Sequence, residues 1–180
     1  MDSSLSGKYD LDHNHSSIGF VARHAMVTKV RGTFNEVTGS GHLDAEDPSK
    51  SNVSLVIKAA SIDTRNEQRD AHLRGNDFFD METYPEITFA STSISPAGDD
   101  HFTVIGDLTM KGATNPVTID FEFTGAATDP FGNQRIGLEG TAVINRKDWG
   151  ITWNAALEAG GMLVSDKVTL ELEVSAIKTA

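Results

Sequence analysis

The stretch Val168-Thr169-Leu170-Glu171-Leu172-Glu173-Val174 decides the fold class of this 180-residue chain. Its apolar residues alternate strictly with polar ones, and a period of two is typical of a β-strand with one buried face. The same alternation occurs in 52–60, 102–110, 117–124 and 136–144. A strand buried on both faces of a parallel sheet would instead be apolar throughout. The sequence therefore predicts an antiparallel sheet with one apolar face.

Three further stretches fit the strand pattern more loosely, namely Ser16–Arg23, Val30–Ala45 and the segment that begins at Ile87. With the five alternating stretches they give about eight strands, plus a short Lys8–Leu11 segment, in an all-β chain. Glycines inside strand patterns are typical of places where a sheet bends, and here they are Gly32, Gly106, Gly137 and Gly140. Because closure removes the exposed edges of a long sheet, we expect a closed antiparallel β-barrel rather than a sandwich.

Length and composition limit the organisation and the partners of the chain. We expect a flexible N-terminus over 1–7 and a single barrel domain over 8–178. The chain has no cysteine, which excludes disulfides and thiolate chemistry. A net charge of −11 makes nucleic acid and anionic lipid surfaces poor partners, and no apolar run is long enough for membrane insertion. Without a signal-like N-terminus, we expect a cytoplasmic location.

One segment predicts a helix. Thr64-Arg65-Asn66-Glu67 matches the Ser/Thr-x-x-Glu capping box, so the helix should start there, run to Arg74 and end at Gly75. Asp70 and Arg74 have the spacing of a favourable ion pair on one helix face. This short helical insertion lies between two strands, and we expect it outside the sheet, over one end of the barrel.

Two groups of residues are of the types used in metal binding or acid–base chemistry. His13 and His15 would share one face of an extended strand, but a third metal ligand is not evident. Asp70 and His72 are two apart, so on a helix they do not face each other. We interpret these residues as hydrogen-bonding or capping groups, and we expect no metal, no cofactor and no catalytic residue.

Aromatic residues cluster in two places that should lie at barrel ends. Trp149 and Trp153 follow a strand and could line an entrance, but packing is the preferred interpretation. Phe78, Phe79 and Met81 are similarly interpreted as a hydrophobic plug.

Motifs along nearly the whole chain resemble those of the YceI-like proteins. The first runs over Leu11–Phe20 and continues through Arg23-His24 and Val30–Phe34. The central motifs are Arg69–Arg74, Asp77–Asp80 and Tyr84–Phe89, and the last are Gly106–Gly112 and Asn145–Gly150. The resemblance implies a lipocalin-like, eight-stranded antiparallel β-barrel with an elongated apolar channel. It also implies a polyisoprenoid ligand, such as a polyprenyl pyrophosphate or a long-tailed isoprenoid quinone.

The barrel lining and mouth should therefore carry the ligand-binding residues. On the strand pattern and the resemblance, we expect these to be Phe20, His24, Phe34, Ile57, His72, Arg74, Phe89, Val104, Leu108, Phe121, Leu138, Trp149 and Leu170. A tube of such side chains suits a ligand that makes few directional bonds. The acidic chain favours a neutral quinone head over a pyrophosphate, unless Arg23, His24 or Arg74 converges on the mouth.

Three functions remain open at this point. The first, and preferred, is a carrier or sequestering protein for an isoprenoid lipid or quinone, without enzymatic activity. The second is an enzyme acting on such a lipid, with His24, Asp70 and His72 as its candidate groups. The third is an interaction module whose barrel is solidly packed. The oligomeric state is also open, with a homodimer among the options.

Overall fold

A computed structural model describes residues 1–158 and 160–180 of the chain. Within these ranges the chain is built mainly of antiparallel strands with one α-helix, α1 (Glu67–Arg74), and a few short 3-10 turns. The strands, in chain order, are β1 (Gly7–Leu11), β2 (Ser17–His24), β3 (Thr28–Phe34), β4 (Val37–Leu43), β5 (Asn52–Lys58), β6 (Ile62–Asp63), β7 (Glu86–Gly98), β8 (His101–Met110), β9 (Ala113–Thr128), β10 (Gln134–Asn145) and β11 (Lys167–Lys178).

The strands close into a barrel. Neighbours follow the order β1-β4-β5-β7-β8-β9-β10-β11, and β11 pairs back with β1. β2 pairs with β11 further along, at Thr169–Glu173, while β3 pairs with β2 and β4 with β1. β1 with β2, and β3 with β4, therefore form two sides of the barrel, each from two short strands. The predicted eight-stranded antiparallel barrel is confirmed.

The break between β3 and β4 corrects one predicted strand. Val30–Ala45 was expected to be a single long strand, but the pairing is interrupted at Asn35 and Glu36. The backbone N–H of Asn35 instead donates to the carbonyl of Ser61, at 3.1 Å. The chain bends there and continues as β4, which pairs with β1 and β5.

Side-chain alternation produces the apolar interior, as β9 illustrates. Val117 and Ile119 are each 4% exposed, whereas the alternate residues Thr118 and Asp120 face solvent. Neighbouring strands are in register so that their buried residues meet, for example Ile119 opposite Val104. Apolar side chains from all sides of the barrel thus face one another across its interior.

The helix ends where the sequence predicts, but it starts later than predicted. α1 ends at Arg74 and is followed by Gly75, as expected. The N-cap, however, is Asn66, whose side chain accepts a hydrogen bond from the N–H of Arg69 at 2.9 Å. The predicted capping box at Thr64 is therefore wrong, because Asn66 lies one residue before the helix and is itself a favourable N-cap type.

The predicted Asp70–Arg74 pair is not formed either. Asp70 is buried, and its carboxylate accepts hydrogen bonds from the backbone and hydroxyl of Thr64. Arg74 donates to the carbonyls of Ala60 and Ile62, at 2.9 and 3.1 Å. Both side chains tie the helix to the segment before it, which fixes the insertion against the barrel.

His13 and His15 lie in a 3-10 turn, not on an extended strand, and His15 bonds to Asp12 at 2.7 Å. In residues 1–158 and 160–180, no group of three or more side chains of metal-binding type comes together. No helix in the same ranges is long and apolar enough to cross a membrane.

Candidate functional site

The barrel encloses a cavity of about 310 Å³. Its wall is almost wholly apolar and is built from the inward faces of the strands and from the helical insertion. Cavities of this size lie within the range of small-molecule sites in proteins. A solidly packed barrel would not leave such a space, because protein interiors close to nearly crystalline density.

Contacts between glycine and phenylalanine explain why the interior is hollow. Gly140 lies opposite Phe121 on the neighbouring strand, and a β-carbon at Gly140 would come within 2.5 Å of the Phe121 ring. The Phe20 ring covers Gly32 in the same way, because a β-carbon at Gly32 would lie 2.3 Å from that ring. These phenylalanine rings therefore occupy the space on the wall where a side chain of the glycine would otherwise lie.

Gly106 belongs to the same arrangement. A β-carbon there would lie 2.3 Å from the ring of Phe89. The sequence predicted that these strand glycines mark bends, and the structure adds that they make room for aromatic rings. Gly137 differs, because its nearest neighbour is the hydroxyl of Thr124 rather than an aromatic ring.

Nine of the thirteen residues predicted to bind ligand lie on the cavity wall. They are Phe20, Phe34, Ile57, Phe89, Val104, Leu108, Phe121, Leu138 and Leu170. Each of the nine lies in a strand. Their position makes them available to a ligand, and their role in binding stays a prediction.

The other four predicted residues are not part of the wall among the residues that the structure describes. His24 is exposed at the end of β2, and Arg74 is bonded to backbone carbonyls below α1. Trp149 is 2% exposed and donates its indole N–H to the carbonyl of Leu108 at 2.8 Å. His72 is partly exposed on α1 and is bonded to Asp77 at 2.8 Å.

The insertion and the segment after β10 cover one end of the barrel. Phe78 is 6% exposed, and both Phe78 and Phe79 line the cavity. The Phe79 ring meets Phe34 edge to face, with centroids 5.8 Å apart. Outside them, Trp153 packs against His72 and Phe78, with centroids 4.6 and 5.4 Å apart. This end therefore has an aromatic cover.

Arg146 was not singled out from the sequence, yet it is the charged side chain on the cavity wall within the described residues. It is 4% exposed, and its guanidinium donates to the carbonyls of Ile151, Trp153 and Ser165 at 2.8 to 2.9 Å. Burial lowers its pKa from the ordinary value, while Asp166 partly opposes this. Nothing in the sequence indicates that Arg146 is buried, since arginine side chains are usually exposed.

The opposite end of the barrel holds a charged cluster. Arg135 in β10 donates to Asp12, after β1, and to Asp129, in the turn between β9 and β10. The Arg135 hydrogen bond lowers the pKa of Asp12 to about 2, with a smaller contribution from His15. The same guanidinium lowers the pKa of Asp129, and the two carboxylates raise that of Arg135. These ion pairs tie β1 to the β9–β10 turn.

A closed eight-stranded barrel around an apolar cavity is an architecture with room for one small ligand. The comparison with protein families is more specific. The family model of the YceI-like domain matches residues 9–176, and the chain belongs to this family. The resemblance seen in the motifs is thus confirmed.

Curated relatives match over almost their full length. The UPF0312 protein SAS2572 of Staphylococcus aureus (strain MSSA476) is 40% identical over 164 residues, which is 91% of this chain and 93% of that protein. The UPF0312 protein SERP2314 of Staphylococcus epidermidis is 39% identical over 165 residues, or 91% of this chain and 94% of that protein.

Solved structures share the fold. Burkholderia cenocepacia BcnA superposes with a TM-score of 0.81 at 24% identity, covering 92% of this chain and 98% of its own. The Campylobacter jejuni YCEI protein gives 0.76 at 27% identity, covering 88% and 90%. A polyisoprenoid binding domain from Saccharophagus degradans gives 0.71 at 16% identity, covering 95% and 98%.

Proposed function

We propose that this protein binds an isoprenoid lipid with its apolar chain inside the barrel, as a carrier or sequestering protein. The observation that carries the proposal is the apolar cavity of about 310 Å³ that spans the interior. A hydrocarbon chain needs contact area and exclusion of water rather than directional bonds, and this wall offers both.

The energetics fit a long chain. Each CH₂-sized group moved from water into the cavity contributes about 0.8 kcal/mol before the cost of ordering the ligand. Several isoprene units would therefore give appreciable affinity without charge pairing. The likeness of fold to the polyisoprenoid binding domain from Saccharophagus degradans supports the same ligand class.

A neutral head group, as in an isoprenoid quinone, fits the charges better than a pyrophosphate. Arg146 is the cation on the described wall, and its N–H groups are already directed at backbone carbonyls. Arg74 is similarly engaged by Ala60 and Ile62. Neither guanidinium is therefore free to neutralise a buried pyrophosphate, and the chain as a whole carries a charge of −11.

The candidate groups for an enzyme do not assemble around the cavity. Asp70 is buried in hydrogen bonds to Thr64, and His72 is bonded to Asp77 outside the cavity wall. His24 lies on a different element, at the end of β2. Acid–base catalysis needs such groups within hydrogen-bond reach of the reacting atoms. We therefore propose binding without catalysis.

The test is to identify what the purified protein carries. The protein is extracted with organic solvent, the extract is analysed by mass spectrometry, and the stripped protein is titrated with a polyprenol and an isoprenoid quinone. We expect a co-purifying isoprenoid or saturable binding of at least one probe. An empty extract together with no binding of either probe would overturn the proposal. A homodimer and a cytoplasmic location stay predictions, to be checked by solution mass and cell fractionation.

A further inference from the structure

Three exposed apolar side chains lie together at the barrel end near the helical insertion. Met26 and Val27, in the β2–β3 turn, are 66% and 77% exposed, and Met162 is 48% exposed. All three lie in connections between strands, so the alternation along a strand does not determine which way their side chains face. We call Met26, Val27 and Met162 the tip surface.

Hydrogen bonds hold the two segments of the tip surface together. The N–H of Ala25 donates to the carbonyl of Leu163 at 2.8 Å, and the N–H of Ser165 donates to the backbone carbonyl of Arg23 at 3.1 Å. The sulfur of Met26 lies beside Gly161, 2.8 Å from the position of a β-carbon there. The apolar side chains therefore belong to one surface rather than to two independent loops.

The turn that presents Met26 is costly for these residue types. Ala25 and Met26 have φ of +50° and +61°, the left-handed region that both central residues of a type I′ turn require. Asn-Gly is the favoured pair for such a turn, and a side chain there carries strain. A methionine that is both strained and exposed contributes little to folding, which is typical of a residue kept for contact with a partner.

Positive charge surrounds the tip surface. Residues 13–35 contain three basic residues and three histidines but no Asp or Glu, in a chain whose net charge is −11. Arg23 and Lys29 flank the turn, are exposed, and form no ion pair with the described residues. Arg31 further along is paired with Glu171 at 2.7 Å.

The acidic residues between β10 and β11 do not cancel the positive charge around the tip surface. Asp166 lies 3.3 Å from Lys147 and 3.7 Å from Arg146, so it is already paired. Glu158 is exposed and is the acidic residue of the described loop over 154–158 and 160–165. One such carboxylate opposes two flanking cations, before Lys167 and His24 are counted.

We propose that the tip surface docks the barrel on an anionic phospholipid bilayer. Apolar side chains flanked by basic ones are the chemistry that inserts into a headgroup layer and is attracted to its negative charge. The net negative charge acts mainly from elsewhere on the chain, and salt screens it beyond about 8 Å. Ala22 and Val164, next to the tip surface, line the cavity, so docking would bring the cavity wall close to the bilayer.

Docking depends on the tip surface and not on the identity of the ligand in the barrel. Vesicle binding can therefore be absent while the barrel still binds a lipid. The test is co-sedimentation of the full chain with vesicles of phosphatidylcholine alone or mixed with phosphatidylglycerol. We expect binding to the mixed vesicles that weakens as salt is raised. The variants M26D/V27D and K29E should each lower the partition coefficient by about tenfold or more.

The control is F131D, which places a single aspartate on an apolar residue that is 90% exposed at the opposite barrel end. This variant should bind vesicles as the unmodified chain does, and thermal melts should show all variants folded. Equal binding to neutral and mixed vesicles, or equal loss in F131D, would overturn the proposal. A dimer in solution that M26D/V27D dissociates would also overturn it, because the tip surface would then be occupied by a second copy.

Discussion

The ring of Phe121 lies over Gly140 on the adjacent strand, so close that a β-carbon at residue 140 would be 2.5 Å from the ring. A methyl group there must displace the ring from the wall towards the cavity. The hollow interior thus depends on the absence of one side chain as much as on the presence of another. The pairs Phe20–Gly32 and Phe89–Gly106 repeat the relationship at two other places.

Gly140→Ala should therefore reduce the cavity and weaken ligand binding. We expect a loss of stability of about 1–3 kcal/mol from overpacking, and a lower affinity for an isoprenoid probe. Urea unfolding and probe titration measure the two effects. Phe121→Leu should relieve the clash, so the double variant should lose less than the sum of the two single variants. Strict additivity would contradict a contact between these residues.

Leu170→Trp should block binding directly. Leu170 lines the cavity, and its half-buried side chain leaves room for a larger one. We expect the variant to fold while its affinity for an isoprenoid falls by about tenfold or more, because the indole occupies the space of the chain. The control is Glu173→Trp on the outer face of the same strand, which should leave the affinity unchanged.

Arg146 should be structural rather than ligand-binding. Arg146→Met would leave the carbonyls of Ile151, Trp153 and Ser165 without their donor. Each buried group left unsatisfied costs about 1–3 kcal/mol, so thermal unfolding should shift strongly downward. Lys147→Ala, next in the chain and half exposed, should change stability by less than about 0.5 kcal/mol. Equal stability of the two variants would contradict this assignment.

Asp12 should make folding sensitive to acid. Its pKa in the folded chain is about 2, below the ordinary 3.8, because of Arg135. The stabilisation is therefore fully present above about pH 4 and is lost as the pH falls through about 2. Urea unfolding between pH 6 and about 2 measures it. Asp12→Asn should be less stable at neutral pH and show a flatter profile, whereas an unchanged profile would exclude the ion pair.

Sequence alternation predicted the barrel because burial of one strand face leaves a direct mark every second residue. It could not reveal that β3 and β4 are separate, since the bend at Asn35 depends on a hydrogen bond to the distant Ser61. The helix start was misplaced for a related reason. Thr64 and Asn66 are both good N-cap types, and only the contact between Thr64 and Asp70 decides between them.

The candidate site was predictable in its wall and not in its polar groups. Residues such as Val104 and Leu138 follow from the alternation, and the structure places both on the cavity. Trp149 and His72 lie outside strands, so the strand alternation assigns no side to them. The burial of Arg146 depends on carbonyls up to 19 residues away, and no local pattern records that.

The dependence of affinity on chain length tests the central claim, that the cavity binds an isoprenoid chain, most directly. Isoprenoid alcohols of increasing length are titrated into the stripped protein. Each buried CH₂-sized group should raise the affinity roughly fourfold before ordering costs, until the cavity is filled and the affinity levels off. Leu170→Trp should level off at a shorter chain. Equal affinity for short and long chains, unaffected by Leu170→Trp, would contradict binding inside the barrel.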